Sequence, residues 1–269
     1  MHAPKSDPPK SDPSKPKPSE LADIAADILA RLRAKNPRVH CITNAVAQNF
    51  TANVLLAAGA VPSMTVAPDE IGEFAARADA LLVNLGTLDR ERRDAAEIAI
   101  QTARNEHRPW LLDPVFIDRS PRRAAFAKTL AARAPCAVRL NAAEFSALAD
   151  SAPDEPALRR YARDQRTVIA LTGATDLVTD ADRIARIENG DPLMGRVTAM
   201  GCAGAALASA ALAVEPDAWL ATAAALLAFA VAGECAAARA RGPGSFAMEF
   251  IDALAGLDRA TLRDRAKVG

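Results

Sequence analysis

Ala78-Asp79-Ala80-Leu81-Leu82-Val83-Asn84-Leu85 is an almost continuous apolar run. A helical pattern over Arg90–Asn105 follows it, and then a second apolar run, residues 110–112, which stops at Asp113. Two strands apolar on both faces and joined through a helix imply a crossover connection. They therefore imply neighbouring parallel strands in a sheet covered on both sides. This reading decides the fold class, α/β, and the rest of the chain extends it.

Upstream, Leu21, Ile24, Ala25, Ile28, Leu29 and Leu32 recur at helical spacing over residues 21–35, and Pro37 stops that helix. Residues 38–43 read as a strand, a polar turn at Asn44 leads into a helix reaching Gly59, and residues 61–66 read as another strand. Downstream, a helix from about Arg122, a strand at Ala137–Leu140, a helix from Ala142 and a strand at Val168–Leu171 repeat the alternation. Residues 177–179 and 183–187 flank Asp180-Ala181-Asp182, which suits a hairpin turn and predicts an antiparallel edge. The last third reads as mainly helical. Residues 1–19 contain Pro, Lys, Ser and Asp with almost nothing to bury and read as a disordered tail. Residues 20–269 then form a single folded domain.

Half of the 269 residues are hydrophobic and Lys+Arg equals Asp+Glu, so no basic surface for nucleic acid is expected. Aromatics are only 4%, which leaves Ala, Leu, Val and Ile to build the core. Cys41, Cys136, Cys202 and Cys235 form no CxxC pair and suit a reducing cytoplasm. The two most apolar runs, residues 203–214 and 218–232, are each shorter than the roughly 20 residues a bilayer requires. They predict buried helices and no membrane association.

Arg196-Val197-Thr198-Ala199-Met200-Gly201-Cys202-Ala203-Gly204 carries the first chemical signal. A short β-branched run enters a small-residue turn that opens into an Ala-rich helix. Such a strand-to-helix turn leaves backbone N–H groups unpaired at the positive end of the helix dipole, where phosphate binds. Ala199, Met200, Gly201 and Cys202 would form this anion hole. A helix N-terminus also lowers a thiol pKa, so Cys202 is expected to be partly ionised and to accept a proton from a hydroxyl. A buried, tightly packed Cys fits the same stretch.

In open parallel sheets ligands sit beyond the carboxyl ends of the strands. Asp113, followed by Pro114, stands at one such end, and Asn141 and Glu144 at another. Asp113 and Glu144 could hold Mg²⁺ beside nucleotide phosphates. Asn141 and Glu144 equally fit a capping box. Arg139 supplies a fixed positive charge, and Thr172-Gly173 can approach a phosphate closely. An anion hole beside a candidate base points to phosphoryl transfer to an alcohol.

Several runs carry a resemblance to a known family. They are His40-Cys41-Ile42-Thr43-Asn44, Gly59-Ala60-Val61-Pro62-Ser63-Met64, Asn84-Leu85-Gly86-Thr87-Leu88 and Leu112-Asp113-Pro114-Val115. Asn141-Ala142-Ala143-Glu144, Leu171-Thr172-Gly173, the 197–202 turn and Gly242-Pro243-Gly244-Ser245-Phe246 complete the set. In this order the chain resembles the hydroxyethylthiazole kinases. The resemblance implies a ribokinase-like fold, a mostly parallel sheet with helices on both faces. It also implies ATP with Mg²⁺, a role in thiamine salvage, and a homotrimer with active sites between subunits. It places Asn44, Met64 and Ala199 at the thiazole alcohol, Arg139 and Thr172 at ATP, Asp113 and Glu144 at Mg²⁺, and Cys202 where related sugar kinases carry an Asp base.

The chain departs from the family pattern at Phe116-Ile117-Asp118-Arg119-Ser120, where a glycine-rich loop is usual, and in a shorter segment between Glu144 and Thr167. The alternatives are a kinase for hydroxymethylpyrimidine or a pyridoxal-type alcohol, a nucleotide-dependent dehydratase of hydrated nicotinamide cofactors, and a catalytically silent vitamin-binding module.

Overall fold

The computed structural model describes residues 18–269. The chain begins α1 (Pro18–Lys35), β1 (Arg38–Ile42), α2 (Gln48–Ala58), β2 (Val61–Ser63), α3 (Ile71–Arg77) and β3 (Ala80–Asn84). It continues α4 (Arg90–Asn105), β4 (Trp110–Asp113), α5 (Pro121–Ala131), β5 (Ala137–Leu140), α6 (Ala142–Ala149), α7 (Glu155–Gln165) and β6 (Val168–Leu171). The hairpin β7 (Asp176–Thr179) and β8 (Ile184–Ile187) precedes α8 (Met200–Leu212), α9 (Ala218–Ala237), α10 (Pro243–Ala255) and α11 (Arg259–Arg265).

The described strands form one sheet in the order β2-β1-β3-β4-β5-β6-β7-β8. The first six in that order pair in parallel, and β7 and β8 join antiparallel. The predicted hairpin edge is therefore present. Side chains alternate between two cores, as a pleated sheet buried on both faces requires. Leu82 and Leu111 face a core shared with α1, α2, α8, α9 and α10. Leu81, Val83, Trp110 and Leu112 face a second core shared with α3–α7. Alanine lets helices approach closely: nearly every residue of α8 is buried, and Gly204 sits where an added Cβ would meet the Phe229 ring of α9 at 3.6 Å.

Some expectations change. The expected tail, residues 1–19, lies outside the described residues except for Pro18 and Ser19, which open α1. The strand expected over 61–66 ends at Ser63; Pro62 is tolerated there because β2 is an edge strand. Residues 196–198 form no strand. Pro192–Arg196 is a 3₁₀ segment, started by the Asp191 side chain accepting from Leu193 N at 2.8 Å. The outer edge of β8 is already taken by the C-terminal segment: Arg186 N donates to the Gly269 carbonyl at 3.0 Å and Glu188 N to the Lys267 carbonyl at 2.9 Å. The apolar run from Ala218 extends to Ala237, a 20-residue helix long and apolar enough to cross a membrane. Here it is buried instead against α1, α8 and α10.

Gly59 ends α2 at φ 93°, and a Cβ there would lie 2.7 Å from the Arg33 Cα. Gly59→Ala should cost about 1–3 kcal/mol, since backbone strain and a backbone clash act together. Urea unfolding checks this, and an unchanged midpoint would refute it.

Candidate active site

Parallel register brings the strand ends to one edge. β3 and β4 pair so that Asn84 stands opposite Asp113. Both are fully buried. Asn84 Nδ2 donates to Asp113 Oδ2 at 2.6 Å, and Asn84 Oδ1 accepts from Gly86 N at 3.0 Å. These two partners fix the amide independently, because the backbone N–H can only donate. Asn84 Oδ1 then accepts from Asn44 Nδ2 at 3.3 Å, and the same Nδ2 lies 3.2 Å from Cys202 Sγ. Gly86 is needed for this approach: a Cβ there would lie 2.7 Å from the Asn44 Cβ. A polar chain thus runs from Cys202 through Asn44 and Asn84 to Asp113.

Beyond Asp113 stands Arg139, with Nη1 3.6 Å from Oδ1. Asp113 Oδ1 is itself buried without a hydrogen-bond partner. The Arg139 guanidinium lies across the first turn of α8, so close that a Cβ on Gly201 would meet Nη1 at 2.8 Å. Ala199 precedes that turn in the left-handed region at φ 70°, and no side chain caps the helix. Leading N–H groups of α8 therefore face the site without a protein cap, beside a guanidinium, as an anion site requires.

Next to this point opens a cleft of 590 Å³, lined by Arg139, Asn141, Thr172 and Gly173 on one side and by residues 188–192 on another. That volume suits a nucleotide-sized ligand. Asn189 and Glu234 brace the 188–190 segment: Asn189 Nδ2 donates to Glu234 Oε1 at 3.1 Å and to the Arg265 carbonyl at 2.7 Å. Lys267 Nζ donates to the same Glu234 oxygen at 2.8 Å.

The structure brings together Asn44, Asp113, Arg139, Gly201 and Cys202, and places Thr172 in the cleft wall. Met64 lies one residue past the end of β2, at the same edge of the sheet as Asn44. Glu144 completes the capping box with Asn141: its Oε2 accepts from Asn141 N at 2.9 Å, while Oε1 accepts from Phe116 N at 2.9 Å. Glu144 thus ties the divergent Phe116 loop to α6. Among the described residues no group of three or more His, Cys, Asp or Glu converges as a metal cage.

The expected thiolate is corrected. Burial, reinforced by the negative charge of Asp113, pushes the Cys202 thiol up to about 11. Desolvation outweighs the helix dipole here, because the dipole carries only a fractional charge. Burial also pushes Asp113 up to about 7, Arg139 pulling against it and Glu144 adding to it. Two members escaped assignment from the sequence. Asn84 is the hub of the polar chain, and a lone amide ending an all-apolar strand was its signal. Asp176 lies in the cleft wall, pushed up to about 6 by burial.

A neutral Cys202 has a chemical signature. Iodoacetamide labelling of its peptide should be slow at pH 8 and climb steadily towards pH 10, since the thiolate fraction grows tenfold per pH unit below the pKa. A labelling rate that levels off below pH 8 would contradict the buried-thiol assignment.

The model of the hydroxyethylthiazole kinase family matches residues 29–260. A hydroxyethylthiazole kinase from Rhizobium etli (strain CIAT 652) is 48% identical over 256 residues, covering 90% of this chain and 99% of its own. One from Pectobacterium carotovorum subsp. carotovorum (strain PC1) is 44% identical over 243 residues, covering 86% and 92%. The solved hydroxyethylthiazole kinase structure from Pyrococcus horikoshii OT3 superposes with a TM-score of 0.88 at 36% identity, covering 92% of this chain and 98% of that one. Pyridoxal kinase from Staphylococcus aureus, at 14% identity and a TM-score of 0.61, shares the fold. With a parallel sheet whose strand ends meet the start of α8, and with relatives matched over nearly their full length, this chain belongs to the hydroxyethylthiazole kinase family.

Proposed function

We infer that the protein phosphorylates the hydroxyl of 4-methyl-5-(2-hydroxyethyl)thiazole with ATP, giving the thiazole phosphate and ADP. The observation that carries the reading is the uncapped start of α8 beside Arg139, at the mouth of a cleft large enough for a nucleotide. In the transfer, the alcohol oxygen attacks the γ-phosphorus, the bond from γ-phosphorus to the bridging oxygen breaks, and ADP leaves. Catalysis of this step is mainly positioning and charge stabilisation. The N–H groups from Ala199 to Cys202 and the Arg139 guanidinium would hold the γ-phosphoryl oxygens, with Thr172 beside the nucleotide.

Asn44, Met64 and Ala199 would form the alcohol side of the site. Asn44 donates to Cys202 Sγ, an arrangement that favours negative charge on sulfur. As the alcohol oxygen gains its bond to phosphorus, the thiolate form of Cys202 would take the hydroxyl proton and become the thiol. Burial keeps that form scarce, so its contribution is modest.

The residues present fit Mg²⁺ carried in with the nucleotide. Asp113 Oδ1 is a buried acceptor without a partner, whereas both Glu144 oxygens already accept backbone N–H groups. Asp113 would hold the ion and Glu144 would act through water, as Mg²⁺ retains much of its hydration. When bound, the ion supplies positive charge against the phosphates.

We assign residues 20–269 to a single kinase domain working in the cytoplasm as a homotrimer. Exposed Leu56 and Met248 on the packed helices α2 and α10, and Val61 on the edge strand β2, support an interface there.

The test is ADP release with Mg-ATP and the thiazole alcohol, with the product identified by mass, and hydroxymethylpyrimidine and pyridoxal in parallel. Thiazole phosphate is the expected product; turnover of another alcohol alone would overturn the substrate, and no turnover the kinase reading. Cys202→Ala should lower kcat about 10²-fold, the lower end of general-base effects, with the KM for ATP unchanged; an unaltered kcat would remove Cys202 from the chemistry. Gly201→Ala should displace the Arg139 guanidinium and raise the KM for ATP about tenfold, the worth of one charge-assisted hydrogen bond. An unchanged KM would remove Arg139 from the phosphates.

A further inference from the structure

His40 is fully buried on β1, opposite Ser63 in the last registered pair of the β1–β2 ladder. Its two ring nitrogens reach the residues on either side of Met64. Nδ1 lies 2.8 Å from Ser63 Oγ, and Nε2 lies 3.0 Å from the Thr65 carbonyl oxygen. A carbonyl only accepts, so Nε2 carries the hydrogen and donates. In the neutral ring Nδ1 is then the acceptor, and the Ser63 hydroxyl donates to it. Burial holds the ring neutral, with its pKa down to about 4, so the arrangement persists across the working pH range. Phe74 covers the ring at a centroid distance of 5.7 Å. From the far side, the Thr65 hydroxyl donates to the Glu70 carboxylate.

The consequence falls on Met64. The ladder stops at Ser63, yet the chain on both sides of Met64 is pinned by one rigid, fully satisfied side chain from the neighbouring strand. Met64 also packs against the core at its own position. A flexible thioether makes a defined pocket wall only if its backbone is held.

We propose that His40 is a positioning residue for recognition of the heterocycle. By clamping Ser63 and Thr65 it fixes Met64 in the wall of the alcohol site, and so sets affinity for the thiazole without touching the reacting atoms. The proposal rests on the reading that Met64 contacts the substrate.

Steady-state kinetics of the full chain test it. His40→Leu should raise the KM for the thiazole alcohol about tenfold, the effect of losing two neutral hydrogen bonds. The kcat at saturation and the KM for ATP should stay within about twofold, as for a loss of uniform substrate binding. His40→Gln, whose amide can still donate to the Thr65 carbonyl, should recover part of the affinity. An unchanged thiazole KM, or a parallel loss of kcat and of affinity for both substrates, overturns the clamp. If His40→Leu does not fold, Ser63→Ala makes the milder cut: its thiazole KM should rise by a smaller factor, and no rise overturns the clamp. Met64→Ala separates the two levels. A thiazole KM unaffected by Met64→Ala overturns the reading of Met64 and the clamp with it. A raised KM in Met64→Ala beside an unchanged one in His40→Leu overturns the clamp alone.

Discussion

The Asp113 carboxyl is completely buried, and the arrangement of the site follows from that burial. A carboxylate withdrawn from water is costly unless donors and positive charge replace its hydration. The protein supplies one strong donor, the Asn84 amide, and one distant guanidinium, Arg139, and leaves Oδ1 unsatisfied. Sheet register makes this possible. Because side chains alternate, a one-residue slip of β3 against β4 would turn Asn84 away from Asp113 and set an apolar neighbour against it. The apolar strand β3 on both faces guards against such a slip, since Leu81, Leu82 and Val83 each have a core to fill. An incompletely satisfied buried carboxyl is poorly suited to stability and well suited to a ligand that brings its own positive charge.

The polar chain gives that constraint a reach. Asp113 fixes the Asn84 amide, Asn84 fixes Asn44, and Asn44 presents an N–H to the Cys202 sulfur. The thiol and the carboxyl, carried by α8 and β4, are thus orientationally linked through two amides with no freedom to flip. The Ala-rich packing of α8 against α9 holds the far end, because a helix buried on nearly all sides cannot shift to relax a poor contact. Phosphoryl transfer depends on such rigidity, as most of its catalysis lies in placing charges before the reaction begins.

Much of this was readable from residues, and the limits have physical causes. The parallel sheet followed from apolar runs alternating with helical patterns. Asp113, Arg139 and Gly201 followed from the rule that strand ends and helix starts carry sites. The neutral state of Cys202 is not legible in the sequence, because the helix dipole is visible there and desolvation is not. The role of Asn84 is equally hidden, because it arises only when β3 and β4 are in register. The capping box of Asn141 and Glu144 was foreseen, but the second bond from Glu144 to Phe116 N joins segments 28 residues apart, and no local pattern announces it. The strand expected before α8 is absent because the outer edge of β8 pairs with the C-terminal segment at Val268, and the chain returns to the site without pairing.

A crystal structure with Mg²⁺, a non-hydrolysable ATP analogue and the thiazole alcohol bears most directly on this picture. The γ-phosphate should lie against the N–H groups of Gly201 and Cys202, with the alcohol oxygen about 3–3.5 Å from the γ-phosphorus, as a near-attack geometry requires, and beside the Cys202 sulfur. A γ-phosphate bound away from the start of α8, or an alcohol with its hydroxyl turned from Cys202, would contradict it.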